Sequence, residues 1–486
     1  MNATQYLFEK TARLDKDFVL GNKETISYSS LYEQSSKMAT YLSKKFGSQK
    51  NILLVSNNNR FFLVCYFGIM LSGNVCVPLN PSIEIGNFHY IAEKSESVLY
   101  FLEKRLGNKL NLPLIQTITD TEYLDLISNE SQYQNNDTFD SNLSAQIIFT
   151  SGSTGKQKGV VLSHKNIIAN TNSIIKYLKL SQKDIMEVVL PFFYCYGLSL
   201  LHTHLRVGGS MVLNNTFIFL GTVLNDINKY KCTGFAGVPS HFQILLRKSE
   251  SFKKGKFPTL RYVTQAGGKL HNTFISEFIR CFPDIKFYVM YGQTEATARL
   301  SYLNPDDLND KLGSIGHGIP DVQLKVVNET GQQIQAGEIG EIIAKGDNIM
   351  LGYYKDAEST KKTLKDGWLY TGDVGTIDSD GYIYLTARKK EIIKVAGRRI
   401  SPKEIEEVLV SFPDVVDCTI DAIDDDITGE AIKATIVLKE NAKQIVTAEV
   451  LKSFCREKLD RHKIPQTIEF AKGMKINSAG KKVKAT

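Results

Sequence analysis

Short apolar runs alternate with longer helical ones through most of this chain, and that alternation limits the folds open to it. Asn51-Ile52-Leu53-Leu54-Val55 has strand character. Phe61 to Leu71 reads as a buried helix, and Val75-Cys76-Val77-Pro78-Leu79 reads as a second strand. Lys286-Phe287-Tyr288-Val289-Met290 is a further strand and stops at a glycine turn. A short, fully apolar run bounded by turns suits a strand covered on both faces. Strands that alternate with helices imply α/β layers with largely parallel sheets. In such folds ligands lie beyond the carboxyl ends of strands, which is where the glycine-rich turns of this chain fall.

With 486 residues the chain is too long for one ordinary core, so two or more domains are expected. From about Val322 the pattern shifts to shorter strands with turns: Leu324 to Val327, Gly340 to Ala344 and Gly381 to Leu385. This predicts a small β-rich subdomain over about 322–389. A charged cluster, Arg388-Lys389-Lys390-Glu391, comes next. Beyond it a compact α+β unit is expected: helix 402–410, strands near 415–420 and 431–438, and helix 448–459. The boundary is placed near Lys390, giving a large unit over 1–389 and a small one over 390–486. The polar segment Ser131 to Asn142 reads as a surface connection.

Net charge is +7, spread along the chain with no dense basic arm, so nucleic acid binding is not indicated. The seven cysteines contain no CxxC pair and mostly sit in apolar surroundings, such as Val64-Cys65-Tyr66. They read as reduced core residues of a cytoplasmic protein. Met1 to Gln5 lacks a signal-peptide pattern, and the Phe61 to Leu71 run is too short to span a bilayer.

Between two strand-like runs, Ala145 to Phe149 and Val160 to Leu162, lies Thr150-Ser151-Gly152-Ser153-Thr154-Gly155-Lys156-Gln157-Lys158-Gly159. Glycines allow close backbone approach to a ligand, and backbone N–H groups, hydroxyls and lysine suit phosphate oxygens. Alone, the run is equally a polar surface hairpin. It is not a Walker loop: only Ser153 and Thr154 separate Gly152 from Gly155, Gln157 follows Lys156, and a strand follows the loop. Three other turns carry functional residue types. Tyr291-Gly292-Gln293-Thr294-Glu295 combines an aromatic for a planar base, a hydroxyl and a carboxylate able to hold Mg²⁺. Gln265-Ala266-Gly267-Gly268 offers bare backbone to a flat ligand. Tyr370-Thr371-Gly372-Asp373 places at a glycine turn a carboxylate able to accept two ribose hydroxyls. Alone, the Tyr291 segment is an ordinary turn about as often as a site, the Gln265 segment is equally a tight βα turn, and aspartates in turns like that at Asp373 are usually structural.

In order and spacing, these segments resemble the adenylate-forming superfamily of acyl-CoA synthetases, adenylation domains and luciferases. The long segment Gly381 to Lys394, continuing through Gly397-Arg398-Arg399-Ile400-Ser401-Pro402 to Glu406, and the C-terminal Asn477-Ser478-Ala479-Gly480-Lys481 carry the resemblance further. It implies a large α/β domain with a small mobile α+β lid hinged near 388–391 at Lys390. It implies that Thr150, Ser151, Gly152, Ser153, Thr154, Gly155, Lys156 and Lys158 grip the β- and γ-phosphates of ATP. Gly267, Gly268, Tyr291, Gly292 and Gln293 would surround the adenine, with Gly267 shared with the acyl group. Thr294 would meet the α-phosphate, Glu295 would hold Mg²⁺, and Asp373 and Arg388 would hold the ribose, Arg388 reaching the phosphates too. Lys481 becomes the catalytic lysine, bridging the substrate carboxylate and the α-phosphate. Gly397 would face a pantetheine arm.

The segment Pro191-Phe192-Phe193-Tyr194-Cys195-Tyr196-Gly197-Leu198 resembles the family's acyl-pocket motif, with Tyr194 where histidine is frequent. The resemblance places Tyr194, Tyr196, Val238, Gln265 and Gly267 in the substrate pocket. Amino-acid-activating relatives place an aspartate near here, whereas no Asp or Glu occurs between Glu187 and Asp226. The expected substrate is a carboxylic acid without an α-amino group. The expected acceptor is the thiol of CoA, with a phosphopantetheine acyl carrier protein as the alternative. A catalytically silent nucleotide-binding protein is the reading from another class, disfavoured by the joint presence of Glu295, Asp373, Arg388 and Lys481. The chain ends just past Lys484, so no fused carrier domain is expected, and a monomer or homodimer is anticipated.

Overall fold

The structure is a computed structural model that describes all residues except 22–23, 111–115, 135–137, 151–156, 218, 396–397, 426–428, 443 and 475–486. Its first sheet has seven strands, ordered Gly352–Tyr353, Lys158–Ser163, Ser144–Thr150, Val75–Leu79, Asn51–Val55, Leu99–Leu102, Thr117–Thr119. Asn51–Val55 pairs in parallel with both of its neighbours, as buried strands of this composition do. Ser144–Thr150 and Lys158–Ser163 form an antiparallel hairpin with Thr150 opposite Lys158. Thr150 and Lys158, which flank the glycine- and hydroxyl-rich run in sequence, therefore face each other in this hairpin.

A second sheet of 14 strands has two characters. Asp17–Leu20, Ser210–Leu213, Ile185–Val188, Gly234–Gly237, Tyr262–Gln265 and Lys286–Tyr291 lie parallel in that order. Beyond Tyr291 the sheet turns antiparallel through Ser301–Leu303, Ser314–Gly318, Ile383–Arg388, Trp368–Ile377, Gly340–Gly346 and Val322–Val327. The expected β-rich region over 322–389 is thus continuous with the large sheet.

Strand alternation builds the layers. Ile52 and Leu54 face the same core as Tyr288 and Met290 of the large sheet, and helix Arg60–Leu71 lies in that core. Leu53 and Val55 face the opposite side with helix Ile85–Ser95. Phe287 and Val289 face a third core with helices Pro239–Lys248 and Asn272–Cys281. A period of two along each strand thus stacks helix, sheet, helix, sheet and helix layers. Every residue of Arg60–Leu71 after Arg60 is buried, as an all-apolar helix between two sheets must be. None of the seven cysteines is in a disulfide; six are buried and Cys281 is partly exposed, in line with the reduced-core expectation.

The small C-terminal domain has its own five-stranded sheet, with Ile393–Val395, Arg398–Ile400, Val415–Asp425, Gly429–Leu438 and Thr467–Phe470. Helix Pro402–Val410 occupies the expected span, and Ala448–Arg456 the expected place. The helix Pro402–Val410 seats this domain on the large one: Glu407 Oε1 accepts from the Asn272 N–H at 2.7 Å, and Glu407 Oε2 lies 3.1 Å from His271 Nδ1. Among the described residues no helix is long and apolar enough to cross a membrane.

Candidate active site

Tyr291 ends the last parallel strand, and Asp373 lies four strands away in the order of the same sheet. In a flat sheet four strand spacings would be about 19 Å. The Tyr291 hydroxyl nevertheless donates to Asp373 Oδ2 at 2.7 Å, so the antiparallel half curls back over the ends of the parallel strands. Asp373 pairs in register with Arg388 on the neighbouring strand, and Arg388 Nε lies 3.2 Å from Asp373 Oδ1. Asp373 is almost fully buried, whereas the Arg388 side chain is 63% exposed. Burial raises the Asp373 carboxyl above its ordinary range, and Arg388 and the Tyr291 hydroxyl oppose that rise. Burial likewise pushes the Tyr291 phenol well up, so it stays a donor.

The turn after Tyr291 is tight for a specific reason. A Cβ at Gly292 would lie 2.8 Å from Arg299 Cα and collide with the Ala298 carbonyl, so only glycine lets the chain fold back there. Thr294–Ala296 form a single 3₁₀ turn closed by Ala296 N–H to the Gln293 carbonyl at 3.0 Å. Thr294 is buried, with its Oγ1 3.5 Å from Cys195 Sγ. Glu295 Oε1 accepts from the Tyr353 hydroxyl at 2.8 Å. Lys158 Nζ sits 4.9 Å over the Tyr353 ring and donates to Ser359 Oγ at 2.6 Å. Tyr353 therefore ties the Lys158 end of the hairpin to Glu295. The Tyr354 N–H donates to the Gly159 carbonyl at 2.7 Å and holds that hairpin from the other side.

The opposite wall is Gln265–Gly268. Gly267 has φ +87°, a conformation that glycine adopts at no steric cost, and the Gln265 Nε2 donates to the Gly268 carbonyl at 2.8 Å. Val238 is buried immediately before helix Pro239–Lys248, and Pro239 Cγ stands 3.4 Å from where a Gly268 Cβ would be. Tyr194 precedes helix Cys195–Val207 and is half-buried. Tyr196 is buried, with its hydroxyl on Thr264 O at 3.0 Å and Thr264 Oγ1 at 2.9 Å. Lys390 is exposed in the turn following Ile383–Arg388. Ser151 to Lys156, Gly397 and Lys481 lie outside the described residues.

The structure thus brings Thr150, Lys158, Gly267, Gly268, Tyr291, Thr294, Glu295, Asp373 and Arg388 to the carboxyl-end side of the large sheet and the facing hairpin. Tyr353 and Ser359 are partners that sequence reasoning did not find. Tyr353 is 58 residues from Glu295, and only the pairing of Gly352–Tyr353 with Val160 and Val161 brings them together. Among the described residues no cluster of three or more His, Cys, Asp or Glu side chains forms a metal site. One carboxylate at a phosphate site is what a Mg²⁺ ion that keeps phosphate and water ligands needs, so Glu295 fits that ion.

A layered α/β body, a polar cluster of Tyr291, Asp373 and Arg388 at strand ends and a small C-terminal domain are the architecture of an adenylate-forming ligase. The chain belongs to the AMP-binding enzyme family: the family model matches residues 3–354, and the model of the AMP-binding enzyme C-terminal domain matches 404–481. A putative acyl-CoA synthetase YngI of Bacillus subtilis is 33% identical over 394 residues, covering 79% of this chain and 69% of that protein. The long-chain-fatty-acid–CoA ligase of Salmonella typhimurium is 28% identical over 525 aligned positions, covering 98% and 92%. Among solved structures, o-succinylbenzoate CoA synthetase of Bacillus subtilis with its acyl-adenylate superposes with TM-score 0.87 at 25% identity, covering 99% and 96%. The protein is accordingly an acid–thiol ligase of the acyl-CoA synthetase type.

Proposed function

We propose that this enzyme joins a carboxylic acid to the thiol of CoA through an acyl-adenylate made from ATP. A carboxylate oxygen attacks the α-phosphorus, the bond to the β-phosphate oxygen breaks, and pyrophosphate leaves. The thiol sulfur then attacks the acyl carbon, AMP leaves, and the thiol proton passes to solvent. The observation that carries the reading is the Tyr291–Asp373–Arg388 cluster, with Tyr291 hydrogen-bonded to a buried carboxylate that is paired with an exposed guanidinium. A buried carboxylate oriented by two donors is preorganised to accept ribose hydroxyls.

Each residue has a defined task in this reading. Asp373 holds the ribose, and Arg388, which cannot deprotonate, reaches the phosphates. Gly267 and Gly268 supply flat backbone beside the base, and the Tyr291 ring covers it. Thr294 donates toward the α-phosphate. Thr150 and Lys158, with Ser151 to Lys156 outside the described residues, hold the departing pyrophosphate. Glu295 would hold Mg²⁺, whose charge neutralises the phosphates. Lys481 stabilises the negative charge that builds between carboxylate and α-phosphate. The names of related CoA ligases support CoA as acceptor. An acid without an α-amino group is favoured because no Asp or Glu lies between Glu187 and Asp226, and Glu187 is fully buried and already accepts from Asn214 Nδ2 at 2.6 Å.

The test is acid-dependent ATP–pyrophosphate exchange across carboxylic acids and amino acids, followed by thioester formation with CoA or a holo acyl carrier protein. Exchange with a carboxylic acid and thioester on CoA is the expected result. Exchange with α-amino acids alone would overturn the substrate reading. Thioester on the carrier alone would replace CoA as acceptor. Absence of exchange with any acid would sink adenylate formation itself.

A further inference from the structure

Arg299 is a buried cation without a carboxylate partner among the described residues. Its side chain is 2% exposed, yet its neighbours are neutral. The guanidinium carbon lies 4.0 Å over the Tyr196 ring, Nε lies 3.3 Å from Met290 Sδ, and Nη1 reaches the Ala298 carbonyl only at 3.4 Å. Its backbone is held firmly, since Asn348 Nδ2 and Asn170 Nδ2 both donate to the Arg299 carbonyl, at 2.8 and 3.2 Å. A buried charge left uncompensated is among the costlier features a fold can keep, and the Tyr177 hydroxyl, one thioether and one ring face are neutral partners that do not replace an anion. Where a locally unfavourable group is held this tightly, a functional site is the usual reason.

Its position says which site. Tyr196 belongs to the segment assigned to the acyl pocket, and its hydroxyl is tied to Thr264. Thr264 and Met290 are each one residue inside the carboxyl ends of their strands, Gln265 and Tyr291, which carry the site. The Tyr196–Arg299 stack therefore lies about one strand residue, roughly 3.3 Å, beneath the floor of the cleft. Cys195 touches Thr294 at the α-phosphate end, and the next residue, Tyr196, touches Arg299. Thr294 is thus linked to Arg299 through the consecutive residues Cys195 and Tyr196, so an acid that extended along this segment from Thr294 would run toward the guanidinium.

We infer that Arg299, stacked on Tyr196 at the floor of the acid pocket, selects a short carboxylic acid that carries a second anionic group at its far end. The inference rests on the adenylate-forming reading above and names the substrate class of that same site. The far carboxylate supplies the missing counter-charge in a dry setting, where an Arg–carboxylate pair is strong and directional. An uncharged chain end of equal length leaves the guanidinium unpaired.

The experiment is acid-dependent pyrophosphate exchange by the full chain with malonate, succinate and glutarate against propionate, butyrate and pentanoate. Arg299→Lys, Arg299→Met and Tyr196→Phe accompany the wild type. The wild type should favour one of the diacids over the monoacid of equal length by about a hundredfold or more in kcat/KM, the discrimination expected of a site built to pair a polar substrate group. Arg299→Met should lose most of that preference through a rise in KM for the diacid, and Arg299→Lys should keep part of it. Equal use of monoacids and diacids by the wild type would overturn the inference while leaving adenylation intact. Equal loss for both acid types in Arg299→Met, with an unchanged melting temperature, would also overturn it, because the arginine would then serve the reacting carboxylate. No exchange with any acid would remove the adenylation reading and this inference together. If Arg299→Met does not fold, the wild-type comparison and Arg299→Lys still decide the matter.

Discussion

Asp373 shows how one residue's environment sets its work. It is buried beside Tyr291 and Arg388, and burial holds its carboxyl above the ordinary range. Asp373→Asn keeps the shape but replaces an acceptor with a donor facing Arg388. Acyl-AMP formation should fall by about a hundredfold, read as pyrophosphate exchange, because charge-assisted hydrogen bonds are lost at both ends. Tyr291→Phe removes one donor and should cost only about 1 kcal/mol, near a fivefold effect. Glu187 is a second buried carboxyl, pushed up to about 8 by burial, with Asn214 opposing that rise. Its pKa is raised on folding, so the folded protein holds a proton that the unfolded chain releases. Its contribution is full below the usual carboxylate range and is lost as pH rises through about 8. Melting temperature should therefore fall between pH 5 and 8.5 more steeply in the wild type than in Glu187→Gln, whose neutral amide does not titrate. Parallel curves for the two proteins would contradict the assignment.

At the scale of elements, close approach governs helix pairing in the central layer. Helix Arg60–Leu71 packs on Tyr28–Phe46 at Gly68, where an added Cβ would lie 2.6 Å from Met38 Cγ and 2.7 Å from Met38 Cβ. Gly68→Ala should destabilise the protein by about 1–3 kcal/mol, the usual range for overpacking, measured by denaturant unfolding. Met38→Ala in the same chain should restore part of that loss, since it vacates the colliding atoms. The apolar strands and this helix were legible in the chain because short runs without polar residues have few alternatives to burial between layers. The antiparallel turn of the sheet after Tyr291 was not legible as a continuation. Its strands carry ordinary β patterning, and pairing partners follow from long-range register.

In the whole molecule the small C-terminal domain rests on the large one through Glu407 at the start of helix Asn272–Cys281. Glu407→Ala removes the acceptor for the Asn272 N–H and the neighbour of His271. Amide exchange over residues 272–275 should rise by tenfold or more, which is about 1.4 kcal/mol of local opening. Unchanged exchange would mean that the domains are held elsewhere. Acid tolerance is also a global property. His164 and His202 are pushed down to about 3, and His204 and His241 to about 4, all by burial. Lowered pKa values mean that the unfolded chain takes up protons that the folded one refuses. Stability from these groups is present above their ordinary range and is lost as pH falls from about 6.5 toward 4. Melting temperature should drop over that interval, and replacing His202 by Gln should flatten the drop.

The chain by itself determined the layered α/β class and the short segments that carry the family resemblance. Those segments announce themselves locally, because glycine, hydroxyl and carboxylate residues must cluster where backbone meets phosphate. Tertiary structure alone decided that Tyr291 donates to Asp373 across 82 residues, that Tyr353 holds Glu295, and that Arg299 lies buried on Tyr196. Such contacts are set by strand order, sheet curl and layer stacking, which depend on pairings between distant segments that no local pattern encodes.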